Sequence, residues 1–341
     1  MKLPVFPILR LFALSLIFCL TPQRAYSQSL IAFRDSVKDG YNFWLYVPES
    51  CDTVKSDSTD INRPLVIFLH GQSLCGSNLY KVRQYGCIDA VEKGRKIDAF
   101  IIAPQNPGGA WKPSKILNLL NWTKENYSVD ADRVYVVGMS LGGYGTVDFV
   151  GTYPEYVAAA MALCGGGTLS SFCGLNKTPL WIIHGTADRA VPVSQSQKVV
   201  DAMAKCGDTL LVRFDKLKGV NHSKLARTFY LPELYDWLFS HSLADTAYIN
   251  LDYTINSKTL DNSYKNFDKN AKKFTVIDTN KGTNNARENY SASSSSVHTV
   301  KQGDTLYAIA RRYNTSVSQI CKINNIKENS ILRIGQKIKV N

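Results

Sequence analysis

Arg133-Val-Tyr-Val-Val-Gly-Met-Ser-Leu-Gly-Gly-Tyr-Gly145 decides how the rest of the chain is read. A β-branched run stops abruptly at Gly138-Met139-Ser140-Leu141-Gly142, and a helical pattern begins at once. A serine on so sharp a strand-to-helix turn needs small neighbours, because Cβ atoms at positions 138 and 142 would strike adjacent backbone. The turn lifts Ser140 Oγ clear of the strand ends, and the following helix aims its free N–H groups at any negative charge that develops there. Ser140 is therefore read as a nucleophile.

Working outward, Ile31 to Val37 and Tyr41 to Val47, joined at Asp39-Gly40, predict an antiparallel hairpin. Unbroken apolar runs at Pro64–Leu69, Asp98–Ala103, Arg133–Val137, Ala158–Leu163, Leu180–Ile183 and Leu210–Phe214 read as buried parallel strands. Helical patterns fall between them, at about 81–93, 114–126, 141–152 and 194–205, with a last one at 224–239. The fold class is α/β, a mainly parallel sheet with helices on both faces. In such a sheet ligands bind beyond the carboxyl ends of the strands. There the chain places His70-Gly71-Gln72-Ser73, Ala103-Pro104-Gln105-Asn106, the Ser140 turn, His184-Gly185-Thr186-Ala187-Asp188 and, after the last strand, Asn221-His222.

Ser140, Asp188 and His222 thus form a candidate triad. His222 takes the Ser140 proton and returns it to the leaving group, while Asp188 fixes the imidazole tautomer. Asp201 and Asp148 lie within helical patterns and are expected to face solvent. His70 and His184, in His-Gly turns, are expected to be structural. The backbone N–H groups of Gln72 and Leu141 are the predicted oxyanion donors.

The chain opens with Lys2, Arg10, an apolar run from Leu11 to Leu20, and Ala25-x-Ser27, a pattern expected of a secretory signal peptide over residues 1–27. That run is too short to span a bilayer, which takes about 20 residues. The expected localisation is exported: periplasmic, cell-envelope or extracellular. Of the net charge of +12, the leader carries Lys2, Arg10 and Arg24, and residues 298–341 carry eight Lys/Arg against Asp304 and Glu328. So basic a tail favours an anionic surface, and with no nucleic-acid-binding signature beside it nucleic acid ranks last. Beyond Cys19 seven cysteines remain, an odd number for an oxidising compartment. Cys75/Cys87 and Cys164/Cys173 are the candidate pairs; Cys51, Cys206 and Cys321 have no evident partner, and no C-x-x-C metal or redox pattern occurs.

After the catalytic body (28–240), residues 241–296 turn rich in Asn, Lys, Asp, Ser and Thr and read as a flexible linker, with short ordered patches expected at Tyr248–Tyr253 and Phe274–Ile277. Residues 297–341 regain structure: a strand and turn at His298-Thr-Val-Lys-Gln-Gly-Asp-Thr, a helical stripe of Leu306, Ile309, Ala310 and Tyr313, a capping box at Ser316 and Gln319, and a closing strand from Ile334.

Together the Gly-Met-Ser-Leu-Gly turn, His70-Gly-Gln, Ala103-Pro-Gln-Asn with Trp111, and His184-Gly-Thr-Ala-Asp-Arg-Ala-Val-Pro resemble the α/β-hydrolase superfamily, in which the triad likewise runs nucleophile, acid, base. The nearest branch is similar to secreted esterases: phospholipase/carboxylesterase, feruloyl esterase and polyhydroxyalkanoate depolymerase-like enzymes, with predicted peptidases of the same type. Many relatives insert a lid after the sixth strand, whereas only Cys164 to Thr178 is available here, which implies an open site. The β-α-α-β tail resembles a LysM domain. That resemblance implies binding of N-acetylglucosamine-containing chains such as peptidoglycan, in a groove mapping to Gly303-Asp304-Thr305-Leu306 and Ile331-Leu332-Arg333-Ile334. Gly303 and Asp304 also fit a plain turn and helix cap, and the apolar residues a core. The implied function is an exported serine ester hydrolase tethered to wall glycan, with neither metal nor organic cofactor. A serine peptidase of the same fold and a non-catalytic wall-binding protein are the alternatives.

Overall fold

A computed structural model describes residues 28–49, 62–207, 209–247, 253–265, 267, 274–278, 297–301, 304–306, 309–310, 317–327, 330 and 332–340. The expected signal peptide and Tyr248 to Asp252 lie outside the described residues, as do Cys51, Gly303, Tyr313, Ser316 and Ile331.

The body is built on one sheet of nine strands: β1 (Gln28–Phe33), β2 (Phe43–Val47), β3 (Arg63–Leu69), β4 (Phe100–Pro104), β5 (Val129–Met139), β6 (Ala159–Leu163), β7 (Leu180–Gly185), β8 (Val212–Leu217) and β9 (Phe274–Asp278). Their order is β8-β7-β6-β5-β3-β4-β2-β1-β9. Only β2 runs against the rest, pairing antiparallel with both β1 and β4. Burial explains the apolar runs. Along β3, Leu65, Ile67 and Leu69 enter one core layer while Val66 and Phe68 enter the opposite one, and β5 divides its residues likewise. A strand with both faces in oil has no polar alternation to show.

One layer packs under α2 (Pro113–Asn126), α3 (Leu141–Thr152) and α4 (Ser194–Ala204); the other under α1 (Cys87–Glu92) and α6 (Pro232–Phe239). Two predicted helices are broken. The 81–93 pattern splits at Gly86, whose φ of 96° accommodates a backbone lying on Phe68, where an added Cβ would come within 2.1 Å of the ring. The 224–239 pattern divides at Pro232 into α5 (His222–Leu225), a 3₁₀ stretch (Ala226–Tyr230) and α6. The last strand of this series is Val212–Leu217 rather than 210–214, and it is a partly buried edge strand instead of a buried one, with Leu210 exposed.

Three expectations are corrected. The segment read as linker is not free throughout: its expected ordered patch at Phe274–Ile277 is β9, which joins the body's sheet, pairing parallel to β1 from Gln28↔Phe274 to Ala32↔Asp278. Asp278 is clamped there by the Arg34 guanidinium and the Tyr80 hydroxyl. The same segment supplies the short helix α7 (Ser257–Asp261), with Leu260 buried in the body's core. Cys173 pairs with Cys206, not with Cys164, joining the β6–β7 connection to the end of α4. Cys164, Cys75 and Cys87 are free. Asp148, expected to face solvent, is buried and accepts from the Thr168 backbone N–H at 2.7 Å and its hydroxyl at 2.5 Å.

In the C-terminal module β10 (Val297–Thr299) pairs antiparallel with β11 (Lys337–Lys339), and the helix Val317–Asn324 packs beside them. Val300, Leu306, Ile309, Ala310, Ile320, Cys321, Ile338 and Val340 form its separate small core. No described helix is long and apolar enough to cross a membrane.

Candidate active site

Ser140 sits between β5 and α3 at φ 57° and ψ −121°, a conformation rarely tolerated by a side-chain-bearing residue. The surrounding backbone leaves no choice about its neighbours. A Cβ on Gly138 would lie 2.2 Å from the Gly142 carbonyl oxygen, and one on Gly142 would lie 1.8 Å from that of Leu69. Ser140 N–H donates to Leu163 O at 2.9 Å, so β6 holds the turn from its other side.

Asp188 follows β7. Its Oδ1 accepts the Ala190 and Val191 N–H groups, both at 2.9 Å, and its Oδ2 accepts from His222 Nδ1 at 2.7 Å. The carboxylate is wholly buried, while the His222 side chain keeps 24 % exposure. Because Nδ1–H is committed to Asp188, the other ring nitrogen, Nε2, is left as the proton acceptor. The two loops are fastened together: Gly219 N–H donates to Thr186 Oγ1, and Ala187 N–H to the Val220 carbonyl. Asn221 caps α5 through Lys224 N–H, which sets where the helix, and His222 at its start, begins.

The third side is the loop after β3. His70 is buried, with Nδ1 at 2.8 Å from Gly71 O and Nε2 accepting Asn106 N–H at 3.0 Å. Burial drives its pKa down to about 4, so it is neutral, as those two bonds require. Gly71 N–H donates to Tyr85 Oη at 2.7 Å. The Gly71 peptide is therefore held at both ends, and a Cβ there would come within 3.3 Å of Ser140 Cβ. The next N–H belongs to Gln72, which opens a 3₁₀ turn as Leu141 opens α3. First-turn N–H groups have no carbonyl partner within their own helix.

His184, read as structural, is buried and bonds Ser196 Oγ and the Val191 carbonyl, both at 2.8 Å. It also stands 3.5 Å from Asp188 Oδ2, forming part of that carboxylate's housing. Asp201 is exposed on α4 and accepts from Gln197 Nε2. Sequence reasoning missed Tyr85, whose tie to Gly71 crosses two loops, and Cys164, which follows β6 at φ 39°. The Cys164 Sγ lies within 4.8 Å of an Asp188 carboxylate oxygen and of a His222 ring nitrogen. The β6–β7 connection, Cys164 to Pro179, holds only a 3₁₀ turn (Cys173–Lys177), so no lid arises there.

In the C-terminal module Asp304 accepts from His298 Nε2 at 2.6 Å and from Lys301 N–H at 2.8 Å, fastening the turn. The Leu306 side chain is buried as part of the module's small core. Leu332 is half-buried against the same core, whereas Thr305, Arg333 and Ile334 are exposed, Ile334 by 72 %.

Residues 114–231 match the phospholipase/carboxylesterase family model, and residues 298–341 match the LysM domain model. Acetylxylan esterase A of Aspergillus ficuum is 25 % identical over 170 residues, covering 45 % of this chain and 52 % of that protein. The chain thus spans about half the length of this curated relative. The cell division protein DipM of Caulobacter vibrioides is 51 % identical over 43 residues, 13 % of this chain and 7 % of DipM. A solved thermostable esterase aligns with a TM-score of 0.49 and 26 % identity, over 63 % of each chain. Two segments of one polypeptide thus match two different domain models, phospholipase/carboxylesterase within the α/β body and LysM at residues 298–341.

Proposed function

We propose that this chain is an exported serine carboxylic ester hydrolase, held by its LysM domain at peptidoglycan or another N-acetylglucosamine-containing glycan, and that its substrates are esters borne by such glycans. The observation that carries the catalytic reading is the Asp188–His222 bond of 2.7 Å, with Asp188 and Ser140 following the carboxyl ends of two parallel strands of one sheet. In this reading His222 Nε2 takes the Ser140 proton as Oγ attacks the ester carbonyl, and the developing oxyanion is received by the Gln72 and Leu141 N–H groups. The protonated imidazole passes its proton to the leaving alcohol. Water activated by the same nitrogen then releases the acid.

The glycan-ester reading is supported by the lidless β6–β7 connection and by the LysM match at the other end of the chain. Tethering raises the local concentration of wall esters without any change in the active site. Thr305, Arg333 and Ile334 are the side chains proposed to meet the glycan, together with the backbone of Asp304, Leu306 and Leu332. The test compares the full-length protein, a truncated protein ending at residue 290, and Ser140→Ala, on an aryl acetate and on O-acetylated peptidoglycan. Expected are Ser140-dependent turnover of both substrates by the full chain and loss of polymer activity alone on truncation. Turnover by Ser140→Ala rejects the nucleophile. Strong aryl acetate activity with no acetate released from the polymer rejects the wall ester.

A further inference from the structure

The thiol of Cys164 has no part in the chemistry above, yet it lies among the groups that perform it. Its side chain is fully buried. Its Sγ, one Asp188 carboxylate oxygen and one His222 ring nitrogen all lie within 4.8 Å of one another. No other trio of His, Cys, Asp or Glu ligand atoms among the described residues comes so close. Thiolate, imidazole and carboxylate together make a donor set for a thiophilic divalent ion. With Zn–S near 2.3 Å and Zn–N or Zn–O near 2.0–2.2 Å, tetrahedral ligand atoms stand about 3.5 Å apart. Contraction by about an ångström closes the triangle, and the part-exposed His222 has room to move. Water would fill the fourth position.

We propose that the reacting centre doubles as an inhibitory site for a thiophilic divalent cation of the Zn²⁺ type, held by Cys164, Asp188 and His222. The inhibition rests on the triad reading; the binding does not. On binding, the Cys164 S–H bond breaks, its proton leaves to solvent, and the sulfur electron pair forms the bond to the ion. An ion at His222 Nε2 occupies the lone pair that the Ser140 proton needs. An ion at Nδ1 drives the ring proton onto Nε2 and severs the bond to Asp188. In both cases the base is lost. Mg²⁺ and Ca²⁺ favour oxygen donors and gain nothing from the thiol, so the site discriminates.

The experiment titrates the full-length protein with ZnCl₂ during aryl acetate turnover, and separately with CoCl₂ while the thiolate-to-cobalt charge-transfer band is recorded. Zn²⁺ is expected to inhibit, a chelator to reverse the effect, and equal Mg²⁺ to do nothing. Cys164→Ser and Cys164→Ala should each raise the half-inhibiting Zn²⁺ concentration at least about tenfold, measured against their own metal-free rates. The cobalt band should appear in the wild type and in Ser140→Ala and vanish in Cys164→Ser. If the Cys164 variants do not fold, cobalt binding at least about tenfold weaker in His222→Ala supports the site, and unchanged binding refutes it. Absence of Zn²⁺ inhibition, equal inhibition of wild type and Cys164 variants, or a cobalt band that survives in Cys164→Ser overturns the proposal. Because the band in Ser140→Ala does not depend on turnover, failure of the triad reading and failure of the metal site are told apart.

Discussion

Replacing Tyr85 by phenylalanine removes one oxygen atom from the structure and tests whether the Gly71–Gln72 backbone must be held still for turnover. The phenol accepts Gly71 N–H at 2.7 Å, and its ring packs on Phe68 and Phe229, contacts that phenylalanine keeps. Burial pushes the phenol pKa up to about 12, so it is neutral throughout the working range. Without it the part-buried N–H loses its acceptor, at a cost of about 1–3 kcal/mol. The His70–Gly71 peptide can recover part of that cost by turning away, and this rotation shifts the adjoining Gly71–Gln72 peptide that carries the Gln72 N–H. The ceiling is complete loss of one oxyanion donor, roughly 10²- to 10³-fold in kcat. We expect kcat to fall about 10- to 100-fold, or about 1.4–2.8 kcal/mol, with KM changed less than about twofold, since a ground-state carbonyl leans less on these donors. The assay is steady-state hydrolysis of an aryl acetate, paired with the inhibition constant of a boronic acid that forms a tetrahedral adduct on Ser140. The boronate should weaken by the same factor as kcat/KM. A Tyr85→Phe enzyme with kcat within twofold of wild type and unaltered boronate affinity refutes the argument.

Three further outcomes are expected. The depressed pKa of His70 means that the folded protein resists a proton which the unfolded chain accepts near pH 6.5, so this stabilisation is complete above about pH 6.5 and is lost as pH falls toward 4. The full effect is about 3 kcal/mol, and melting temperatures between pH 4 and 8 should fall more steeply with acid for wild type than for His70→Asn. Cys173→Ser opens a link of sequence separation 33 and should cost about 2–4 kcal/mol, read as a lower denaturation midpoint that reductant no longer shifts. A protein ending at Ser240 lacks α7 and β9 and should melt lower and associate through the bared edge of β1, whereas one ending at residue 290 should not; sedimentation and melting of the pair decide this.

What the sequence disclosed followed the strength of local constraint. The Ser140 turn was legible because its glycines are demanded by backbone a few residues away, and the core strands because both their faces are buried. Asp188 was legible as the acid that follows a buried strand, and His222 as the histidine in the loop after the last strand of the series. Tyr85 was not, since its value lies in one bond between two loops with no periodicity. The break at Gly86 depends on Phe68 lying beneath it, which local pattern does not report. Cys173–Cys206 depends on where α4 ends in space. Strand β9 was half visible: Phe274 to Ile277 stood out as an ordered patch, but an edge strand amid Lys, Asp and Asn carries too little apolar signal to reveal its partner. Asp148 was misplaced because helical register alone cannot show that Thr168 covers it.

Strand β9 also determines how the molecule carries mechanical load. If the LysM domain grips a polymer while the catalytic body engages another part of it, tension passes along the single chain from Val297 back to Asp278, the nearest described residue at which that chain is fastened to the sheet. Tension directed along β9 loads its ladder with β1 all at once, in shear. Tension directed outward meets the Arg34 and Tyr80 bonds to Asp278 first and must break them before the strand can peel. Under such a pull the bonds at that carboxylate would act as a strain relief, taking the load ahead of the strand ends where Ser140 sits.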